Sequence, residues 1–178
     1  MVGLGGEAPR VSVYIANRPP LPDYEALAEY RSMLSGEIAF IASETGNHWR
    51  KVFNVYAKLA FLLDSQGYAT WQELRDQSLL QVGSAYGLFF SPPSLKIPAT
   101  KSQSGEQPCI HLVLGKSYAN SLGLESSIQW VEDYIGAVAS SSLWVVPYFD
   151  YRQFSDHKLK TFSELLKAKC SWINSDLS

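Results

Sequence analysis

The sequence predicts an α/β protein, a three-layer α/β/α sandwich around a mainly parallel central sheet. Three observations predict it. Short apolar runs rich in β-branched and aromatic residues alternate with amphipathic segments along the whole chain. Pro and Gly clusters punctuate these runs, as at Arg18-Pro19-Pro20-Leu21-Pro22 and Pro92-Pro93. With 46% hydrophobic and 18% charged residues, the chain is too apolar for a disordered one. Its 178 residues suit one domain able to bury roughly 70% of its unfolded surface. Residues 1–10 read as a flexible, Gly-rich start and residues 11–178 as a single α/β domain.

The elements follow in order. Val11, Val13, Tyr14 and Ile15 make the first strand, within residues 10–17. The prolines after it withhold N–H donors and stop it. Asp23 then caps a helix running to about Leu34, closed by Ser35-Gly36. Glu37 to Ala42 reads as a short buried strand. From Asn47 to Asp64 the apolar residues Trp49, Val52, Phe53, Tyr56, Leu59, Ala60 and Leu63 recur at helical steps, the clearest stripe in the chain. Thr70-Trp71-Gln72-Glu73 fits a capping box opening a helix to Val82. Tyr86 to Phe90 and Cys109 to Leu114 are strands, separated by a polar loop over 94–108. Gly115-Lys116-Ser117 turns the second of them into a short helix ending at Gly123. Ile128 to Ala139 reads as helix, Leu143 to Pro147 as the last strand, and Ser155 or Asp156 caps a final helix.

Composition excludes several classes. Fifteen basic against seventeen acidic residues, a net charge of −2, give no overall positive field for nucleic acid. Charge is distributed unevenly, however. Arg50, Lys51 and Lys58 fall on one helix and Lys116 and Arg152 at strand ends, which is compatible with a small basic cleft. Two cysteines make no disulfide framework, and His48, His111 and His157 have no metal-ligand spacing. Neither a signal-peptide pattern nor an apolar run near the ~20 residues of a membrane span is present. A soluble, cytoplasmic protein with no cofactor, metal or membrane partner is expected.

In a parallel sheet, ligands sit at the carboxyl ends of strands. Leu114-Gly115-Lys116-Ser117 looks like the tail of a phosphate loop, but the required earlier glycine is Ile110. It is either a tight turn or a minimal phosphate site of Lys116 and Ser117. Gly46-Asn47-His48-Trp49-Arg50 opens the strongest helix, so Asn47 and Arg50 could meet a phosphate or simply face solvent. No Gly-x-Ser-x-Gly elbow exists. Phe89, Phe90 and Tyr148 put aromatics at strand ends, suited to packing or to stacking a planar base.

Taken in order, Val13-Tyr14-Ile15-Ala16-Asn17-Arg18-Pro19-Pro20, Gly46-Asn47-His48-Trp49-Arg50, Ala85-Tyr86-Gly87-Leu88, Ile110 to Ala119 and Trp144-Val145-Val146-Pro147-Tyr148 resemble the motif series of the uracil-DNA glycosylase superfamily, above all its mismatch-specific branch. The resemblance spans about residues 11–170 and implies a glycosylase-like fold. It implies that Asn17 orients a water, that Phe89 or Phe90 stacks a flipped base, and that Arg50, Lys116 and Ser117 contact phosphate. Phe40-Ile41-Ala42-Ser43-Glu44 is a second candidate for the first loop, with Glu44 as the water-orienting residue. The last loop departs from the family: Pro147 to Arg152 offers Asp150, flanked by Tyr148 and Arg152, where His or Asn would face the leaving base. Three functions stay open: a non-catalytic relative binding a nucleotide or nucleic acid, an active DNA glycosylase, and a protein-interaction domain.

Overall fold

A computed structural model describes residues 1–94, 109–138 and 142–170. Most of the predicted polar loop, 95–108, and the expected helix end at Ala139 lie outside them. In chain order the elements are β1 (Gly3–Gly5), β2 (Val11–Tyr14), α1 (Pro22–Glu25), β3 (Tyr30–Arg31), α2 (Glu37–Thr45), α3 (Asn47–Leu63) and α4 (Trp71–Gln77). Then come β4 (Tyr86–Phe89), β5 (Ile110–Leu114), α5 (Lys116–Ser121), β6 (Ile128–Glu132), β7 (Ile135–Val138), β8 (Leu143–Val146) and α6 (Asp156–Lys169). The fold is α/β, with six α-helices and one mixed eight-stranded sheet among the described residues. None of these helices is long and apolar enough to cross a membrane.

The chain forms two compact units: a sheet unit, Met1–Leu34 with Leu80–Tyr148, and a helical unit, Ser35–Leu79 with Phe149–Ser178. In the sheet unit the strand order is β3-β1-β4-β2-β5-β8-β7-β6. Pairs β1–β3, β2–β4, β2–β5 and β5–β8 are parallel, whereas β1–β4, β7–β8 and β6–β7 are antiparallel. The four central strands thus run in one direction. Register places Phe89, Tyr14, Val113 and Val145 in one row across them, and all four are buried. That row is the floor on which Ala119 and Leu124 pack.

In the helical unit α3 buries the whole predicted stripe, and also Asn54, Val55 and Ala57. Burial of each large apolar side chain contributes about 1.5–3 kcal/mol, so α3 is the principal anchor of its unit. An aromatic series, Tyr56, Phe149, Phe154 and Phe162, continues the core towards α6 with ring centroids 5.5, 6.1 and 6.0 Å apart.

Several expectations are corrected. Residues 3–5 of the Gly-rich start are not frayed but pair with β4 and β3. Their glycines permit this close approach: a Cβ on Gly3 or on the following Gly6 would run into the carbonyl oxygen of Leu88 or Ser84. The helix expected over Asp23–Leu34 is one turn, capped at Leu21 rather than Asp23. Arg18 ends it, because Nη1 donates to the carbonyls of Tyr24, Glu25 and Leu27 at 3.2, 3.0 and 2.8 Å. The expected strand Glu37–Ala42 is helix α2, with Ile38, Ile41 and Ala42 buried at helical steps. Short apolar runs do not separate strand from buried helix by pattern alone. The helix from Thr70 stops at Gln77 and not Val82, since Leu80 turns left-handed (φ 63°) and its N–H goes to Ser84 Oγ. The expected helix Ile128–Ala139 is the β6–β7 hairpin. Gly136 lies against Ile128 and Trp130 across that hairpin, where a side chain would clash.

Candidate functional site

Parallel strands β4, β2, β5 and β8 deliver four segments to one edge of the sheet: Phe90-Ser91, Asn17-Arg18, Gly115-Lys116 and Pro147-Tyr148. The chain runs from β2 to its neighbour β4 and later places β5 on the other side of β2. The strand order therefore reverses between β2 and β5. At such a switch point flanking connections leave in opposite directions and open a crevice.

The loops after β2 and β8 meet over the end of the intervening β5. Tyr148 Oη donates to Asn17 Oδ1 at 3.0 Å, across 131 residues of sequence. Both side chains are half-buried. An amide carries a donor and an acceptor: Tyr148 fixes the oxygen of Asn17, and its NH2 group makes no hydrogen bond among the described residues. Tyr148 adds an aromatic face beside it.

The other expected base contacts are placed differently. Phe89 is a core residue, 2% exposed, with its ring stacked on Tyr14 at 5.2 Å and on Tyr30 at 4.9 Å. Phe90 is buried, and the Arg18 guanidinium lies 5.6 Å from its ring centroid. Stacking a ligand on either ring would require displacing these neighbours. Lys116 is exposed, yet its Nζ donates to Asp133 O at 3.1 Å and sits 4.3 Å above the Trp130 ring. It latches the β6–β7 hairpin. Ser117 is exposed on α5.

The remaining predicted residues belong to the helical unit. Glu44 is exposed at the end of α2. Asn47 and Arg50 come together at the start of α3, with Arg50 Nη1 donating to Asn47 Oδ1 at 3.0 Å. Asp150 accepts from the Arg152 backbone N–H at 2.9 Å and from Lys51 Nζ at 3.2 Å. These contacts, the backbone bond first, hold its carboxyl below the usual range, so it is a weak base. The Arg152 side chain is exposed. The basic face expected on α3 is largely neutralised, because Lys51 pairs with Asp150 and Lys58 with Asp156 at 2.8 Å.

Two polar clusters escaped the sequence. Tyr14 and His111 share a hydrogen bond of 2.8 Å from adjacent strands, and burial pushes the imidazole down to about 4. Neutral histidine is therefore a structural partner of the tyrosine. In the helical unit, buried Asn54 accepts from Arg75 Nη1 at 2.6 Å and donates to Tyr151 Oη at 2.7 Å. The sequence did not signal it, since Asn54 is spaced four residues from Arg50 and from Lys58, in register with a polar face of α3.

Among the described residues no group of His, Cys, Asp and Glu is arranged to hold a metal ion. Cys109 and Cys170 are free thiols, each raised by burial. The profile of a family described as "Family of unknown function (DUF6942)" matches residues 2–167. No curated protein and no solved structure matches the chain.

Proposed function

We propose, for a chain that belongs to the DUF6942 family of unknown function, that it binds a nucleobase-bearing ligand at the carboxyl edge of its parallel strands and does not hydrolyse it. The observation that carries this reading is the Asn17–Tyr148 bond at the switch point. An amide with a free donor, held beside an aromatic ring, suits the edge and the face of a planar base at once. The likeness to the glycosylase superfamily is a likeness in the order of loops. The adjacency of the loops after the first and last parallel strands supports extending it to a glycosylase-like sandwich.

Hydrolysis of an N-glycosidic bond needs a poised water and a group to take its proton. Of the two candidate carboxylates, Glu44 is solvent-exposed at the end of α2. Asp150 is moreover engaged by Lys51 and held in its weakly basic form. Binding is thus the better supported role.

Titration of the full chain with a dodecameric single-stranded DNA and with nucleoside monophosphates, followed by tyrosine and tryptophan fluorescence, tests the proposal. Asn17→Ala and Tyr148→Ala are expected to weaken binding about tenfold each, in line with the worth of one stacked base. Binding of the single strand alone assigns the ligand to nucleic acid, and binding of both assigns it to the nucleotide unit. Failure of both, or variants that bind as well as the parent, overturns it.

A further inference from the structure

The helical unit carries a second candidate site. A cleft of about 220 Å³ opens between α2, α3 and α4. Ile38, Ala39 and Ala42 give it an apolar lining over the fully buried Phe53, and Arg50 and Arg75 line it too. The volume falls below the roughly 300–1,000 Å³ of pockets for drug-sized ligands, so only a small molecule fits.

Arg75 is not a loose surface cation. Its Nη1 donates to Asn54 Oδ1 at 2.6 Å, and Asn54, only 7% exposed, is itself fixed by Tyr151 at 2.7 Å. Its Nε and Nη2 bond to the Asp76 carboxylate at 2.7 and 3.0 Å. These bonds occupy three of five N–H donors, and two remain. Asp76 is half-exposed, so an anion in the cleft would compete with solvent-screened charge and not with a buried partner. Arg50 has no ion-pair partner among the described residues and is held by Asn47 at 3.0 Å. Two guanidinium groups on one small cleft, one of them braced from a buried amide, make a preorganised oxyanion clamp.

We propose that this cleft binds a small organic carboxylate, its charge on Arg50 and Arg75 and its short apolar body against Ile38 and Ala39. A carboxylate matches the planar guanidinium fork, and the apolar wall favours a carbon skeleton over an inorganic anion.

The test is a calorimetric titration of the full chain with benzoate, benzamide and inorganic phosphate. Saturable benzoate binding, with benzamide and phosphate weaker, is expected. Arg50→Gln and Arg75→Gln should each weaken benzoate about tenfold, the loss of one charge-assisted hydrogen-bonding group. Arg152→Gln, exposed on the same unit but outside the cleft, should leave it unchanged. Because Arg75→Gln also disturbs Asn54, Arg50→Gln is the decisive variant; its side chain is exposed and its loss leaves the fold intact. Absence of saturable benzoate binding, phosphate binding tighter than benzoate, or full affinity in Arg50→Gln overturns the proposal.

Discussion

His111 is neutral in the folded protein because burial lowers it to about 4, while an unfolded histidine titrates near its ordinary value of 6.5. Between these two values the unfolded chain binds more protons, so stability rises with pH across that window and is lost as pH falls through it. The loss reaches about 2 kcal/mol by pH 4 once partial exposure is allowed for. Urea denaturation from pH 7 down to 4 measures it, and His111→Gln should flatten the profile. Asn54→Ala strips Arg75 and Tyr151 of their buried partner and should cost about 1–3 kcal/mol, read from the same denaturation curves. Neither residue was legible as important in the sequence. Their partners lie 97 and 21 positions away (Tyr14 and Arg75), and single-chain patterns register only neighbours within a turn or a strand. Tyr148 was legible as an aromatic at a strand end, whereas the role expected of Asn17 came from the order of motifs that the glycosylase resemblance supplied.

At the scale of elements, legibility followed length and periodicity. The stripe of α3 runs for several turns and its prediction held, as did β2, β4, β5, β8 and α6. The failures were short segments whose fate tertiary pairing decides. Residues 128–138 place β-branched side chains on both sides of Asp133-Tyr134, and the pairing of β7 with β8 selects the hairpin. Residues 37–42 are too few for pattern alone to separate strand from helix. The cap of α4 was readable and is testable. Thr70 Oγ1 accepts from Glu73 N at 3.2 Å, while Glu73 Oε2 accepts from Ala69 N at 3.0 Å, one residue before the expected position. Thr70→Ala should lower stability by about 1 kcal/mol in thermal unfolding. Gly6→Ala, which drives a methyl into the Ser84 carbonyl, should cost about 1–3 kcal/mol or more and loosen β1. Hydrogen exchange at Gly3–Gly5 would report that loosening.

For the molecule as a whole, a net charge of −2 and lysines paired with Asp150 and Asp156 leave little attraction for a phosphate backbone. Nucleic-acid affinity should therefore depend on salt with a shallow slope, set by about one or two phosphates. Duplexes carrying uracil or mismatched bases should keep those bases in the presence of excess protein, because Asp150 is engaged by Lys51 and the Arg152 backbone and is a weak base. The most direct test of the Asn17–Tyr148 site is an amide NMR titration of the full chain with the dodecameric single strand and, separately, with uridine monophosphate, read for shifts with either. Saturable shifts centred on Asn17, Gly115 and Tyr148 are expected, with the midpoint moved to about tenfold higher ligand concentration in Asn17→Ala. No shifts at these residues with either ligand, or shifts confined to α2, α3 and α4, would contradict the proposed site.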